Sequence, residues 1–156
     1  MKGTRGVCAS VPRTTALAAE AATNCVSVQT EFSERLPTVV GDRVELQQVV
    51  VNLILNAIEA MSRTTENTRE LLIRTAKADS GTILVAVADS GPGLLPASLE
   101  RLFEPFYTTK ADGLGIGLSI CRSIIEAHGG RLWASANEPH GTIFQFTVPT
   151  LPHPSG

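Results

Sequence analysis

The chain has 156 residues, 43% of them hydrophobic and 18% charged, with a formal net charge of -2. One globular domain with a core of its own fits that length and composition, and the near-neutral charge excludes an electrostatic nucleic-acid binder and a polybasic membrane anchor. Three cysteines, Cys8, Cys25 and Cys121, are odd in number and widely spaced, which excludes a disulfide framework or metal-ligand motif and reads as reduced thiols in a cytoplasmic protein.

Residues 1–13 mix Gly, Thr, Arg and Pro without periodicity and read as a loose segment; Lys2 and Arg5 precede no apolar run, so no signal peptide is expected. Thr14–Asn24 is rich in Ala and suits a short helix. Val26–Phe32 alternates apolar and polar residues, which predicts a half-buried strand. Leu36–Val40 predicts a second short strand after a turn. Asp42, followed by Glu45, is a capping-box-like start for a helix running to about Ser62. Apolar residues cover most of its circumference, which predicts a largely buried helix. Its polar residues Glu45, Gln48, Asn52, Asn56 and Glu59 recur at steps of three and four and so share one stripe. At Glu45 and Glu59 the stripe reads as a solvent-exposed edge. At Asn52 and Asn56 it does not, because Asn is a poor helix former and long charged side chains usually fill such edges. Unpaired amides are costly to bury, so this part of the stripe must face water or a polar ligand. The longest apolar region, Val49–Met61, is broken by Asn52, Asn56 and Glu59 and is too short to cross a bilayer.

Ser62–Glu70 reads as a polar loop. Leu71–Ala78 and Thr82–Ala88 predict two antiparallel strands joined by a turn at Asp79-Ser80-Gly81. Pro96 opens a short helix over Ala97–Leu102. Phe103–Lys110 then brings three aromatics, two threonine hydroxyls and one cation. Gly113-Leu114-Gly115-Ile116-Gly117-Leu118 leads into an amphipathic helix to His128, which Gly129-Gly130 terminates. Arg131–Asn137 and Thr142–Val148 predict the closing strands, and Pro149 onward reads as loose. The domain proper is expected over 14–150, with a tail over 151–156.

Chemistry concentrates in three places. The strand ending at Ala88 delivers Asp89-Ser90-Gly91-Pro92-Gly93. An acceptor-only carboxylate beside glycines that let the backbone approach closely suits a flat molecule bearing an amino group, such as adenine. Taken alone, that pentapeptide is also an ordinary solvated turn. The alternating glycines from Gly113 to Gly117 stand at a helix start, where free amides and the helix dipole attract an anion. No acid follows at the distance a dinucleotide-binding crossover needs, and the Gly-Lys-Ser/Thr ending of a P-loop is missing. What remains is a loop able to fold over a nucleotide's phosphates, with Lys110 as counter-charge. Magnesium prefers hard oxygen ligands and takes few from protein when phosphates supply the rest, so an Asn carboxamide on the helix stripe could provide one. Together these parts describe a pocket for Mg-nucleotide.

Four ordered segments carry a family resemblance. Gln48–Ala60, with Asn52 and Asn56, resembles the N box of the histidine-kinase ATP-binding domain; Asp89–Gly93 resembles its G1 box. Phe103–Phe106 with Tyr107–Lys110 is similar to the F box, Gly113–Leu118 to the G2 box, and Gly141–Phe144 to the final strand motif. The close spacing of the last two boxes resembles the short-lid kinases of nitrogen regulation and oxygen sensing. The resemblance implies an α/β two-layer sandwich, a mixed and largely antiparallel sheet covered by about three helices, the Bergerat fold shared with gyrase B and Hsp90. It implies that Asp89 accepts from the adenine amino group, with Gly91, Gly93 and Thr142 assisting. Asn56 would be the magnesium ligand, and Asn52 stands where gyrase-type relatives have a catalytic Glu. Asn cannot act as that base, which fits phosphotransfer to a histidine better than attack by water. Lys110, Thr108, Thr109, Gly113, Leu114, Gly115, Gly117 and Leu118 would hold the phosphates, and Asn52 and Lys110 would serve the transfer itself.

Two departures bear on function. Many members carry a cation three residues after the magnesium Asn, where this chain has Glu59. None of His128, His140 and His153 stands in the phosphoacceptor pattern of a His followed by an acid; each reads as a helix-end, turn or tail residue. The expected activity is therefore that of a monomeric catalytic domain. It binds Mg-ATP and serves a histidine on a separate dimerisation domain and, through it, a response regulator. Rival readings are a nucleotide-switched interaction module, a serine kinase of the anti-sigma type and a gyrase-class ATPase.

Overall fold

The computed structural model describes residues 26–33, 36–62, 69–78, 81–93, 99, 101–104, 117–138 and 140–150. Their order is β1 (Ser27–Glu31), α1 (Arg43–Ser62), β2 (Glu70–Lys77), β3 (Thr82–Asp89), α2 (Gly117–Ala127), β4 (Arg131–Ala136) and β5 (Thr142–Pro149). The strands form one sheet in the order β1-β2-β3-β5-β4. β1 runs parallel to β2 and every other pair is antiparallel, so the sheet is mixed and largely antiparallel, as expected. The described elements include two helices against the three or so expected. The Thr14–Asn24 helix lies outside the described residues, as do three of the six residues of the Ala97–Leu102 helix, Ala97, Ser98 and Glu100.

Period-two alternation fixes which side chains face the helices. On β5, Thr142, Phe144, Phe146 and Val148 are buried while their neighbours are half-exposed. On β3 the inner residues are Ile83, Val85, Val87 and Asp89. The registers set Val87 against Phe144 and Ala88 against Ile143. Asp89 and Thr142 therefore emerge side by side, on the helix-facing side, at one end of the sheet.

α1 begins where Asp42 caps it: Asp42 Oδ1 accepts from Val44 N at 2.9 Å and from Glu45 N at 3.1 Å. Its buried residues, Leu46, Val49, Val50, Leu53, Ile54, Ala57, Ile58 and Met61, fall on one helical face. Burial is confined to that face: two of the apolar residues that marked the helix as largely buried stay open, Val44 at 71% and Leu55 at 38% exposure. α1 packs chiefly on α2 and β3. The helix has the length and apolar content of a membrane span, but that content is the face packed on the sheet.

α2 runs antiparallel to α1 and ends in a Schellman arrangement, with Gly130 N donating to Ile125 O at 2.9 Å and Gly129 N to Glu126 O at 3.0 Å. His128 then ties the helices together. Its Nδ1 donates to Ile124 O at 2.7 Å, and its Nε2 accepts from Asp42 N at 2.9 Å. A carbonyl on one side and an amide on the other fix the neutral tautomer.

Three further expectations are corrected. β1 is exposed along its whole length rather than half-buried; it is an edge strand, and the flanking Val26 and Phe32 pack on the core in its place. Leu36–Val40 forms no strand, only a bridge from Val39 to Thr150, since Pro37 lacks a donor for a ladder. Pro149 is not loose but ends β5, and Thr150 N donates to Gly81 O at 2.9 Å.

The burial pattern of α1 makes a quantitative contrast. Leu53→Ala should cost about 3 kcal/mol of stability, while Val44→Ala should stay within about 0.5 kcal/mol. Chemical denaturation midpoints of the two variants check this, and similar losses would mean that α1 packs by another face.

Candidate functional site

The strand register has already placed Asp89, and the turn after β3 completes its surroundings. Asp89 is 2% exposed. Its Oδ1 accepts from Gly91 N at 2.9 Å and from Thr142 N at 3.2 Å. Oδ2 receives no bond from the described residues, and no side-chain polar atom is sealed there without a partner. Oδ2 therefore meets an opening and is the oxygen available to a ligand's N–H. Burial pushes the Asp89 carboxyl above its ordinary value of 3.8, against the lowering effect of the Gly91 and Thr142 amides and of His140.

Two glycines are required by geometry. Gly141 has φ of 117°, and a Cβ there would overlap the Asp89 carbonyl oxygen. Gly93 has φ of 79°, and a Cβ there would stand 3.2 Å from Gly141 O. The loops after β3 and before β5 thus lie backbone against backbone. Gly91 is buried, and a Cβ on it would come within 3.0 Å of Asp89 Oδ1.

α1 meets this turn at its C-terminal end. Ser90 Oγ lies 3.6 Å from the Met61 sulfur and accepts from Glu70 N at 2.8 Å. One turn and two turns back along α1 stand Asn56 and Asn52, both half-buried, while Glu45, Gln48 and Glu59 are exposed. The stripe therefore divides as its residue types imply. Asn52 Nδ2 donates to the buried Cys121 Sγ of α2 at 3.5 Å. Burial raises the Cys121 thiol pKa, with the Asn52 bond acting the other way. Asn56 lies on α1 between the point held by α2 and the point held by the turn, about 6 Å along the axis from the first and about 7.5 Å from the second.

Of the remaining sequence-derived residues, Gly117 and Leu118 open α2, and Leu118 packs against the core. Gly117 has open space about its Cα. Phe103 is anchored edge-on to Phe144, 6.3 Å between ring centres. Thr108, Thr109, Lys110, Gly113, Leu114 and Gly115 lie outside the described residues. Asn137, to which the sequence assigned no role, and His140, expected as a turn residue, also bond to the turn: Asn137 Nδ2 donates to Asp89 O at 2.8 Å and His140 Nδ1 to Gly91 O at 3.2 Å. A groove of about 510 Å³ lies elsewhere, between Phe103, Arg122 and Trp133, and none of Asn52, Asn56, Asp89 and Thr142 lines it.

The described residues thus form an α/β domain with a buried strand-end carboxylate backed by main-chain amides and two half-buried Asn on the neighbouring helix. Comparison with known proteins gives the family. The model described as "Histidine kinase-, DNA gyrase B-, and HSP90-like ATPase" matches residues 41–152, and the chain belongs to that family. It is 50% identical over 111 residues to the sensor protein FixL of Bradyrhizobium diazoefficiens, a match covering 71% of this chain and 22% of FixL. The catalytic domain of histidine kinase ThkA superposes with a TM-score of 0.75 at 33% identity, covering 88% of both chains. ThkA in complex with the response regulator TrrA matches with a TM-score of 0.72 at 31% identity, over 87% of this chain and 37% of that one. The chain thus spans about a fifth of the curated FixL sequence and nearly the whole of a histidine-kinase catalytic domain.

The raised Asp89 pKa has a testable sign. A folded pKa above the unfolded value means that ionising Asp89 costs stability, increasingly so as pH rises through the folded pKa. Asp89→Asn retains an oxygen for the two amides and carries no charge. Its thermal midpoint should exceed that of the native chain at pH 7, with the gap closing as pH falls towards 3.8. A native midpoint above the variant's at pH 7 would contradict this electrostatic account.

Proposed function

We propose that this chain is the Mg-ATP-binding catalytic domain of a sensor histidine kinase. In this reading it donates the terminal phosphoryl group of ATP to a histidine on a separate dimerisation domain, which in turn serves a response regulator. The observation that carries the reading is the Asp89 carboxylate, with Oδ1 committed to two backbone amides and Oδ2 open. Such an oxygen selects a ligand that donates an N–H, as the adenine amino group does. The match to ATPase-family and histidine-kinase catalytic domains supports ATP as that ligand.

The donor chemistry on α1 fits magnesium. No cluster of three or more His, Cys, Asp or Glu capable of holding a metal occurs among the described residues. A half-buried Asn carboxamide is the hard, neutral ligand suited to an ion held mainly by phosphates, and Asn56 is the residue assigned to it. When bound, magnesium neutralises phosphate charge and orients the terminal group. Asp89 and the turn around it hold the base and exclude water from one face. Asn52, tethered by Cys121, lines the helix side without offering a general base, so transfer is by positioning and charge stabilisation rather than by activation of water. Lys110 and the amides from Gly113 to Leu118 are assigned to the phosphates. The domain proper is assigned to 14–150, acting as a monomer on the cytoplasmic side, with neither nucleic acid nor a membrane segment involved in its chemistry.

Calorimetric titration with ATP, with and without magnesium, tests the pocket. Asp89→Ala should lose measurable nucleotide binding while keeping the fold. Asn56→Ala should weaken binding more with magnesium than without it, and equal losses would remove its metal role. Incubation with a histidine-bearing hairpin domain and labelled ATP should give an acid-labile phosphoprotein. An acid-stable product would point to serine instead, and no transfer despite tight binding would favour an interaction module.

A further inference from the structure

We propose that the turn between β4 and β5, through Asn137 and His140, sets the preference of this pocket for adenine over guanine nucleotides. The inference rests on the reading above, in which Asp89 meets the exocyclic amino group. Neither residue belongs to the motifs that identified the site. Asn137 holds the start of the Asp89–Gly91 segment through Asp89 O at 2.8 Å, and His140 holds its end through Gly91 O at 3.2 Å. The turn is itself closed by Asn137 N donating to Gly141 O at 3.0 Å. The segment so gripped carries the Gly91 amide, which together with Thr142 fixes Asp89 Oδ1. By holding the main chain on either side of the carboxylate, the two side chains govern where Oδ2 points; they are positioning residues.

Position matters because the discrimination is geometric. Adenine presents an amino group to Oδ2, whereas guanine presents a carbonyl oxygen, which a carboxylate repels. A site built to receive one donor rejects the wrong partner only while its acceptor is held within a fraction of an ångström. Asn137 and His140 are half-buried and lie outside the hydrophobic cluster, so trimming them opens no cavity in the core. The loss should fall on selectivity rather than on folding.

The test compares ATP and GTP affinities, the latter by competition, for the native chain, Asn137→Ala, His140→Ala, the double variant and His140→Gln. The double variant should bind ATP about tenfold more weakly, with GTP affinity unchanged. His140→Gln, which keeps an N–H donor, should recover most of the loss seen in His140→Ala. Amide exchange at Gly91 and Thr142 should accelerate in the Ala variants. An unchanged ATP-to-GTP ratio, or equal losses for both nucleotides, would overturn the clamp while leaving the Asp89 assignment intact. A native chain that binds ATP and GTP alike would overturn that assignment and the clamp with it.

Discussion

Keeping a carboxylate inside the end of a sheet is the constraint on which the rest of this fold depends. Desolvating a charge costs several kcal/mol unless hydrogen bonds replace its water. Here the replacement comes from two backbone amides, one from the turn after β3 and one from the first residue of β5. Main-chain donors can be brought to one oxygen from two loops only if the loops are nearly in contact, and side chains would keep them apart. Hence glycine stands at 91, 93 and 141, where any Cβ would be tight against, or overlap, the opposing main chain or the carboxylate itself. The β3–β5 register then has no freedom left, since a slip of one residue would turn either Asp89 or Thr142 to the outer face.

The helix layer answers to the same point. α1 is pinned at three places: by His128 at its N-terminal cap, by Cys121 through Asn52 at mid-length, and by the β3 turn against Met61. A rotation by one residue, about 100°, would carry the apolar stripe off the sheet and Asn52 away from Cys121. One set of core contacts thus fixes stability and site geometry together. The outer side of α1 is under no such demand, which is why Val44 and Leu55 are left exposed there.

Much of this was legible in the chain because it depends on local pattern. The cap at Asp42, the β2–β3 hairpin, the alternation of β5 and the division of the α1 stripe into exposed acids and half-buried Asn all follow from residue type and period. What was not legible depends on neighbours. Alternation marks Val26–Phe32 as a strand but cannot tell that it lies at an edge with both faces uncovered. Val44 and Val49 have the same side chain, and only the position of the sheet makes one exposed and the other buried. Asn137 and His140 reach main-chain oxygens 48 and 49 residues away, and no spacing rule links such partners. The assignments at Thr108, Thr109, Lys110, Gly113, Leu114 and Gly115 rest on motif alone, because they fall outside the described residues.

The two ends of the proposed pocket are built on different physical terms. The base end is framework: strand ends, glycine contacts and a desolvated carboxylate held by main-chain amides from two loops. The helix side offers carboxamides, which coordinate and donate but do not abstract protons. In the proposed reading a nucleotide held this way is positioned and charge-neutralised, and neither Asn52 nor Asn56 is a group that would activate water. Occupancy and turnover are then separable. In the proposed reading the domain holds ATP with little loss to hydrolysis, and transfer awaits a histidine nucleophile on a separate domain. For a kinase of the proposed kind that separation matters, because a signal can control the geometry of an acceptor histidine only if the donor does not discharge by itself.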